Sequence, residues 1–191
     1  MKAMQIDDTG WVIQQHDDAT VQHIPSPNFD ARPSDDHGCP IDMIVIHNIS
    51  LPPFEYGGNG VIELFTNQLN PAEHPYYAEI QGLKVSSHFF IRRDGRLIQF
   101  VSCLARAWHA GVSQWQNRER CNDFSVGIEL EGSDIAPFEP EQYATLIQLI
   151  RALLARYPIQ HVVGHSDIAP GRKTDPGPYF DWDKVNTLIK I

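Results

Sequence analysis

Two histidines, a lysine and an aspartate occupy the positions in this chain where chemistry is most expected. An apolar run, Val162-Val163-Gly164, ends in His165 and leads into a loop too rich in Pro and Gly to be helix or strand, yet carrying Lys173 and Asp175. Such a loop is costly to order, and loops held on a rigid scaffold are where catalytic groups concentrate. Far upstream, the β-branched run Met43-Ile44-Val45-Ile46 also ends in a histidine, His47, and reads as a buried strand. Two strand-end histidines and a loop carboxylate can supply three ligands to one ion. Three protein ligands with water in the fourth position describe a catalytic zinc site, whereas structural sites are usually closed by four ligands. His47, His165 and Asp175 are therefore the candidate ligands of one Zn2+. Taken alone, each histidine reads as a hydrogen-bonded strand-end residue. Their separation excludes a local motif such as H-E-x-x-H.

The remaining elements must position these groups. Phe124 to Glu131 alternates with period two, putting Val126, Ile128 and Leu130 on one face and Ser125, Gly127, Glu129 and Glu131 on the other. That second face is either solvated or lines the cleft, with Glu129 aimed at an attacking water. Val85 to Ile91 and Leu97 to Val101 read as strands joined by a hairpin at Asp94-Gly95. His88 falls within the first and reads as a packed histidine. Trp108 sits in a loop beside glycine and serves either as core or as a platform for a sugar ring. Val61 to Leu69 suggests a short helix. Pro140 at a first helical position opens the best amphipathic helix, with Pro158 just past its end. His161 to His165 reads as the next strand, and Asp181 as the cap of a last helix from Trp182 to Ile189. Gly10 to Ile13 could be a short strand, and Asp30 to Pro40 reads as polar loop. Trp11, Val12, Ile13 and Ile24 suggest that the lead-in docks on the core. Strands and helices interleave around an antiparallel hairpin. This predicts an α/β (α+β) fold with a central mixed sheet flanked by helices.

At 191 residues the chain fits a single domain spanning residues 1–191, with 1–25 as a lead-in segment. Its net charge of −9 and lack of a Lys/Arg-rich run argue against nucleic acid and anionic membranes as partners. No membrane-length apolar run and no secretion signal are evident, which predicts a cytoplasmic protein with Cys39, Cys103 and Cys121 as reduced thiols. We expect a monomer.

Longer runs carry a resemblance. Val45-Ile46-His47-Asn48-Ile49-Ser50-Leu51-Pro52-Pro53, Arg106-Ala107-Trp108-His109-Ala110-Gly111, Arg118 through Gly132, and Arg172-Lys173-Thr174-Asp175-Pro176-Gly177-Pro178 resemble the AmpD-type, cytoplasmic branch of the zinc-dependent N-acetylmuramoyl-L-alanine amidases. The similarity extends from about Ile24 to Trp182. It implies zinc held at His47, His165 and Asp175, Glu129 acting on the attacking water, and Lys173 stabilising the oxyanion. It implies a small-molecule substrate, a 1,6-anhydro-muropeptide released in cell-wall recycling, with Asn48, Trp108 and Arg120 in contact with it. Lys84 stands where the family pattern carries arginine. Lysine keeps the charge but not the bidentate fork. An anionic peptide binding an acidic protein needs a local basic cluster, for which Arg118, Arg120 and Lys84 are candidates. Two rival readings remain: a non-catalytic muropeptide-binding module and a lytic amidase acting on polymeric wall.

Overall fold

The computed structural model describes residues 3–14, 21–33 and 40–188. Cys39, the middle of the 30–40 loop and Ile189, the last residue of the C-terminal helix expected from the sequence, lie outside them; within them that helix ends at Asn186. The strands are β1 (Val21–His23), β2 (Phe29–Ala31), β3 (Met43–Ile49), β4 (Phe89–Ile91), β5 (Leu97–Gln99), β6 (Ala105–Ala107), β7 (Gln114–Trp115), β8 (Arg118–Glu119), β9 (Ser125–Glu131) and β10 (His161–Gly164). The helices are α1 (Gly60–Phe65), α2 (Pro75–Glu79), α3 (Pro140–Arg156), α4 (His165–Ile168) and α5 (Trp182–Asn186).

The main sheet has six strands in the order β1-β5-β4-β9-β3-β10. Only the β4–β5 hairpin is antiparallel; every other neighbouring pair is parallel. This is the expected mixed sheet. Gly95 turns the hairpin at φ +82°, where glycine carries no steric penalty. α3 covers one face, packing Leu146, Leu149, Ile150 and Leu153 against Ile44, Ile46, Val126, Ile128 and Leu130. α1 and α2 cover part of the other face, where Leu64, Phe65 and Tyr77 cluster with Phe90, Ile98 and Phe100. Among the described residues no helix is long and apolar enough to cross a membrane. Cys103 and Cys121 are buried free thiols, and burial pushes Cys103 up to about 12.

Several local expectations change. All seven residues of β9 are buried, so its second face is not solvated. Period two marks two different burials there, because both faces of a parallel strand are covered. Val85 to His88 does not join the ladder; the Ser86 N–H donates instead to the Trp108 carbonyl. His165 opens α4 rather than closing a strand. β2 occupies part of the segment read as polar loop, pairing with β6. Gly10 to Ile13 contributes a single bridge, Ile6 to Val12. Val12 and Ile24 dock as expected, but Ile13 is exposed. The lead-in supplies β1, an edge strand of the main sheet. The Asp181 carboxylate makes no capping hydrogen bond; it pairs with Lys184 while its backbone N–H donates to the Tyr143 hydroxyl.

His88 is the packed histidine the strand reading anticipated. It accepts the Gly127 N–H at Nδ1 and donates Nε2–H to the Ala105 carbonyl, with the Arg32 guanidinium alongside. Burial, aided by Arg32, holds it down to about 3. The unfolded chain takes up this proton near 6.5, so stability is full above that pH and falls as the pH drops toward 3. One histidine contributes about 1.4 kcal/mol per pH unit in that window. Denaturant unfolding at several pH values should show His88→Gln with a pH dependence shallower than the parent by about one proton. Equal slopes would mean that the ring titrates freely in the folded protein.

Candidate metal centre

β3, β9 and β10 run parallel, so their carboxyl ends open on one edge of the sheet, where open α/β sheets place their ligand crevices. The register sets His47 of β3 directly beside Glu129 of β9. Gly164, the last residue of β10, pairs with Ile46, so the residues that follow, His165 at the start of α4 and His47 still within β3, stand at the same level. The Gly164 N–H is capped by Asp167 Oδ2 at 2.7 Å as the chain turns into α4. A Cβ on Gly164 would lie 2.8 Å from Pro176 Cδ, so glycine lets the loop carrying Asp175 close over the strand end. The Ser166 N–H donates to the Asp175 carbonyl at 2.9 Å and ties that loop to α4.

The result is a triangle of donor atoms. His47 Nδ1 lies 3.0 Å from both His165 Nδ1 and Asp175 Oδ2, and His165 Nδ1 lies 3.1 Å from the same oxygen. A shared proton could satisfy only one of these close pairs, whereas a cation among them satisfies all three. The separations are near the roughly 3.3 Å edge of a tetrahedron with 2.0–2.1 Å bonds. Two imidazoles and a carboxylate suit a borderline divalent ion. Among the described residues this is a group able to hold a metal ion. Burial pulls His47 below its usual range and keeps it neutral. Burial pushes Asp175 up, but the His165 and His47 rings outweigh it and hold the carboxyl well below the ordinary range. Both are the forms that ligate.

Glu129 is 8% exposed, and its Oε2 is buried with no hydrogen-bond partner among the described residues. Burial, then the nearby Asp175 carboxylate, pushes Glu129 well above its usual range, with Lys173 opposing. An unpartnered buried carboxylate is expensive. Its place on a cavity beside three convergent donors suggests a group that works on a bound molecule. That cavity, of about 260 Å³, is lined by His47, Glu129, His165, Lys173 and Asp175, with Trp108 on its wall. Lys173 is exposed at the rim.

The other expected residues divide. Asn48 lines the cavity, but its Nδ2 donates to Asp134 Oδ1 and to the Pro176 carbonyl, so it also braces the ligand loop. Trp108 is half-buried, with Nε1 donating to Asp30 Oδ1, which leaves it able to present its ring to the cavity. Lys84 is exposed on a separate, smaller cavity with Leu69 and Leu83. Arg120 is exposed, pairs with Asp123, and borders a larger neighbouring cavity of about 510 Å³ that also includes Arg172. Arg118 is held by Asp42 and stacks over Phe124. The sequence reading assigned no role to His109, Asp134 or Arg172. Asp134 receives Asn48 and Thr174, and Arg172 donates to the Ala110 and Val112 carbonyls.

A mixed sheet with two histidines and an aspartate able to hold a metal ion at its carboxyl edge, beside a buried glutamate with an unpartnered oxygen, is an arrangement suited to hydrolysis. The chain belongs to the N-acetylmuramoyl-L-alanine amidase family, whose model matches residues 37–178. It is 50% identical over 182 residues to the 1,6-anhydro-N-acetylmuramyl-L-alanine amidase AmpD of Escherichia coli K12, covering 94% of each chain. A crystal structure of an AmpD derivative superposes with a TM-score of 0.87 at 49% identity, over 97% of this chain and 99% of that one. The E. coli amidase AmiD, solved with the substrate anhydro-N-acetylmuramic acid-L-Ala-D-γ-Glu-L-Lys, matches with a TM-score of 0.57 at 30% identity, over 98% of this chain and 66% of that one.

Proposed function

We propose that this protein hydrolyses the amide between the lactyl group of 1,6-anhydro-N-acetylmuramic acid and L-alanine in soluble muropeptides, as a cytoplasmic, single-domain enzyme of peptidoglycan recycling. The observation that carries the reading is the triangle of His47, His165 and Asp175 set in register beside the unpartnered Glu129. Those three residues would hold one zinc ion. When bound, zinc supplies an acidified water and a polarised carbonyl. Glu129, with its high proton affinity, accepts the proton of the attacking water and delivers it to the leaving amine of L-alanine. Lys173, at the rim of the cavity, places fixed positive charge where the tetrahedral oxyanion develops. The half-buried Trp108 offers a face for the sugar. Arg120 and Arg172, on the neighbouring cavity, offer positive charge to the anionic peptide.

A non-catalytic binding module has no use for a carboxylate kept buried and unpartnered, and this favours the enzyme. Mass spectrometry of products from a 1,6-anhydro-muropeptide tests the reading. Free peptide and anhydro-muramyl sugar should form, formation should stop with a chelator, and zinc should restore it. Intact wall should be a far poorer substrate. Binding without cleavage would support the module, and equal cleavage of polymeric wall would support the lytic reading.

A further inference from the structure

Each candidate ligand histidine has a second ring nitrogen, and both lead to consecutive residues of one loop. His165 Nε2 lies 3.0 Å from the Ala110 carbonyl, and His47 Nε2 lies 2.9 Å from His109 Nδ1. The Asn122 side chain clamps this loop, its Oδ1 accepting the N–H of His109 at 3.2 Å and of Ala110 at 2.8 Å. The His109 ring is buried flat against β9, where a Cβ on Gly127 would come within 2.5 Å of it. Gly127 therefore makes the room that the ring fills.

Hydrogen-bond direction in this cluster is determined from its far end. Ser125 Oγ donates its single proton to the Cys121 carbonyl at 2.6 Å, so toward His109 Nε2, 3.2 Å away, it can only accept. His109 then carries its proton on Nε2 and presents a bare Nδ1 to His47. That bare nitrogen can pair only with a protonated His47 Nε2, and a neutral imidazole protonated there has its lone pair on Nδ1. Nδ1 is the atom that faces His165 and Asp175. His109 itself is not a fourth ligand, because its Nδ1 points at the far side of the His47 ring.

We propose that His109 is a positioning residue for the metal site. Through a hydrogen-bond chain ending at the Cys121 carbonyl, it fixes the His47 tautomer and ring orientation so that Nδ1 is free to bind the ion. The proposal rests on the metal reading of His47, His165 and Asp175. Loss of such an outer partner typically weakens metal binding 10–100-fold.

The test is zinc affinity by competition with a chromogenic chelator, on folded protein. His109→Ala should bind zinc roughly 10–100-fold more weakly than the parent. His109→Asn, whose Oδ1 can take the acceptor position of Nδ1, should recover most of the loss. Gly127→Ala, which displaces the ring without removing a polar group, should resemble His109→Ala. Parental affinity in His109→Ala overturns the proposal, as does an asparagine variant no better than alanine, because packing alone would then explain the loss. If His165→Ala binds zinc as tightly as the parent, the metal reading itself fails and takes the proposal with it. Where variants do not fold, 15N-histidine spectra of the zinc-loaded parent decide. His109 should be protonated at Nε2 and bare at Nδ1, and the reverse tautomer overturns the assignment.

Discussion

Replacing His165 with alanine should release zinc and abolish turnover together. The remaining pair, His47 Nδ1 and Asp175 Oδ2, still lies 3.0 Å apart, but two protein donors do not hold a catalytic zinc, which normally takes three. The loss of affinity should therefore exceed the roughly 10–100-fold expected for an outer partner. The variant should still fold, because His165 sits at a strand–helix junction whose backbone is held independently by Asp167 and by the Ser166–Asp175 bond. Metal analysis after dialysis, beside a far-ultraviolet spectrum, checks both parts. A folded variant with a full complement of zinc would remove His165 from the site. The parent stripped with chelator should lose activity in proportion to its zinc and regain it on metal addition. Asp175→Asn should behave similarly but less severely, since an amide oxygen can still donate a lone pair without the charge.

Much of this site was readable because its strands announce themselves. Ile44, Val45 and Ile46 before His47 form a buried run, and Val162 and Val163 before His165 a partly buried one, and both lead to the carboxyl edge of the parallel strands. The mixed sheet followed from the Asp94-Gly95 hairpin set among alternating helices. Register was not readable. That His47 stands beside Glu129, and that Gly164 stops opposite Ile46, depends on how three strands slide against one another, which no local pattern encodes. Burial on both faces of β9 was hidden for the same reason, because period two reports a difference between faces and not which of them meets water. His109 could not be assigned because its meaning lies in its partners, Ser125 and His47, at the far ends of other elements. The nearest sequence signal was Gly127 in the middle of a strand, where glycine often marks close approach by another group. That Lys84 lies on a separate cavity instead of the metal cavity also escaped local reasoning, since it depends on where the segment after α2 is laid down.

Glu129→Gln should keep the fold and the zinc while losing about 10²–10⁴-fold in turnover, the usual contribution of a positioned acid–base group. The amide fills the same space but cannot accept the water proton. Because the carboxylate acts in the transition state, kcat and kcat/KM should fall alike. Stability should not suffer, since burial already penalises the ionised form and glutamine removes that penalty. In the parent, burial displaces the Glu129 pKa upward, so activity should rise with pH through a value above the ordinary carboxylate range. That acid limb should be missing from the residual activity of the variant. Glu131, on the same face of β9, is the comparison, but the structure changes what it tests. It is 3% exposed and accepts the Gly57 N–H at 2.6 Å and the Arg93 N–H at 2.9 Å, with Arg92 alongside. It anchors the loop that follows β3, so Glu131→Ala should lower stability by leaving those donors unpaired, about 1–3 kcal/mol. Turnover per folded, zinc-loaded molecule should change far less than in Glu129→Gln. Near-parental turnover in Glu129→Gln, with collapse in zinc-loaded Glu131→Ala, would assign the acid–base role to Glu131 instead. Loss of zinc from Glu129→Gln would make Glu129 a ligand, and the site would then be closed by four protein donors instead of leaving one position for the reacting water.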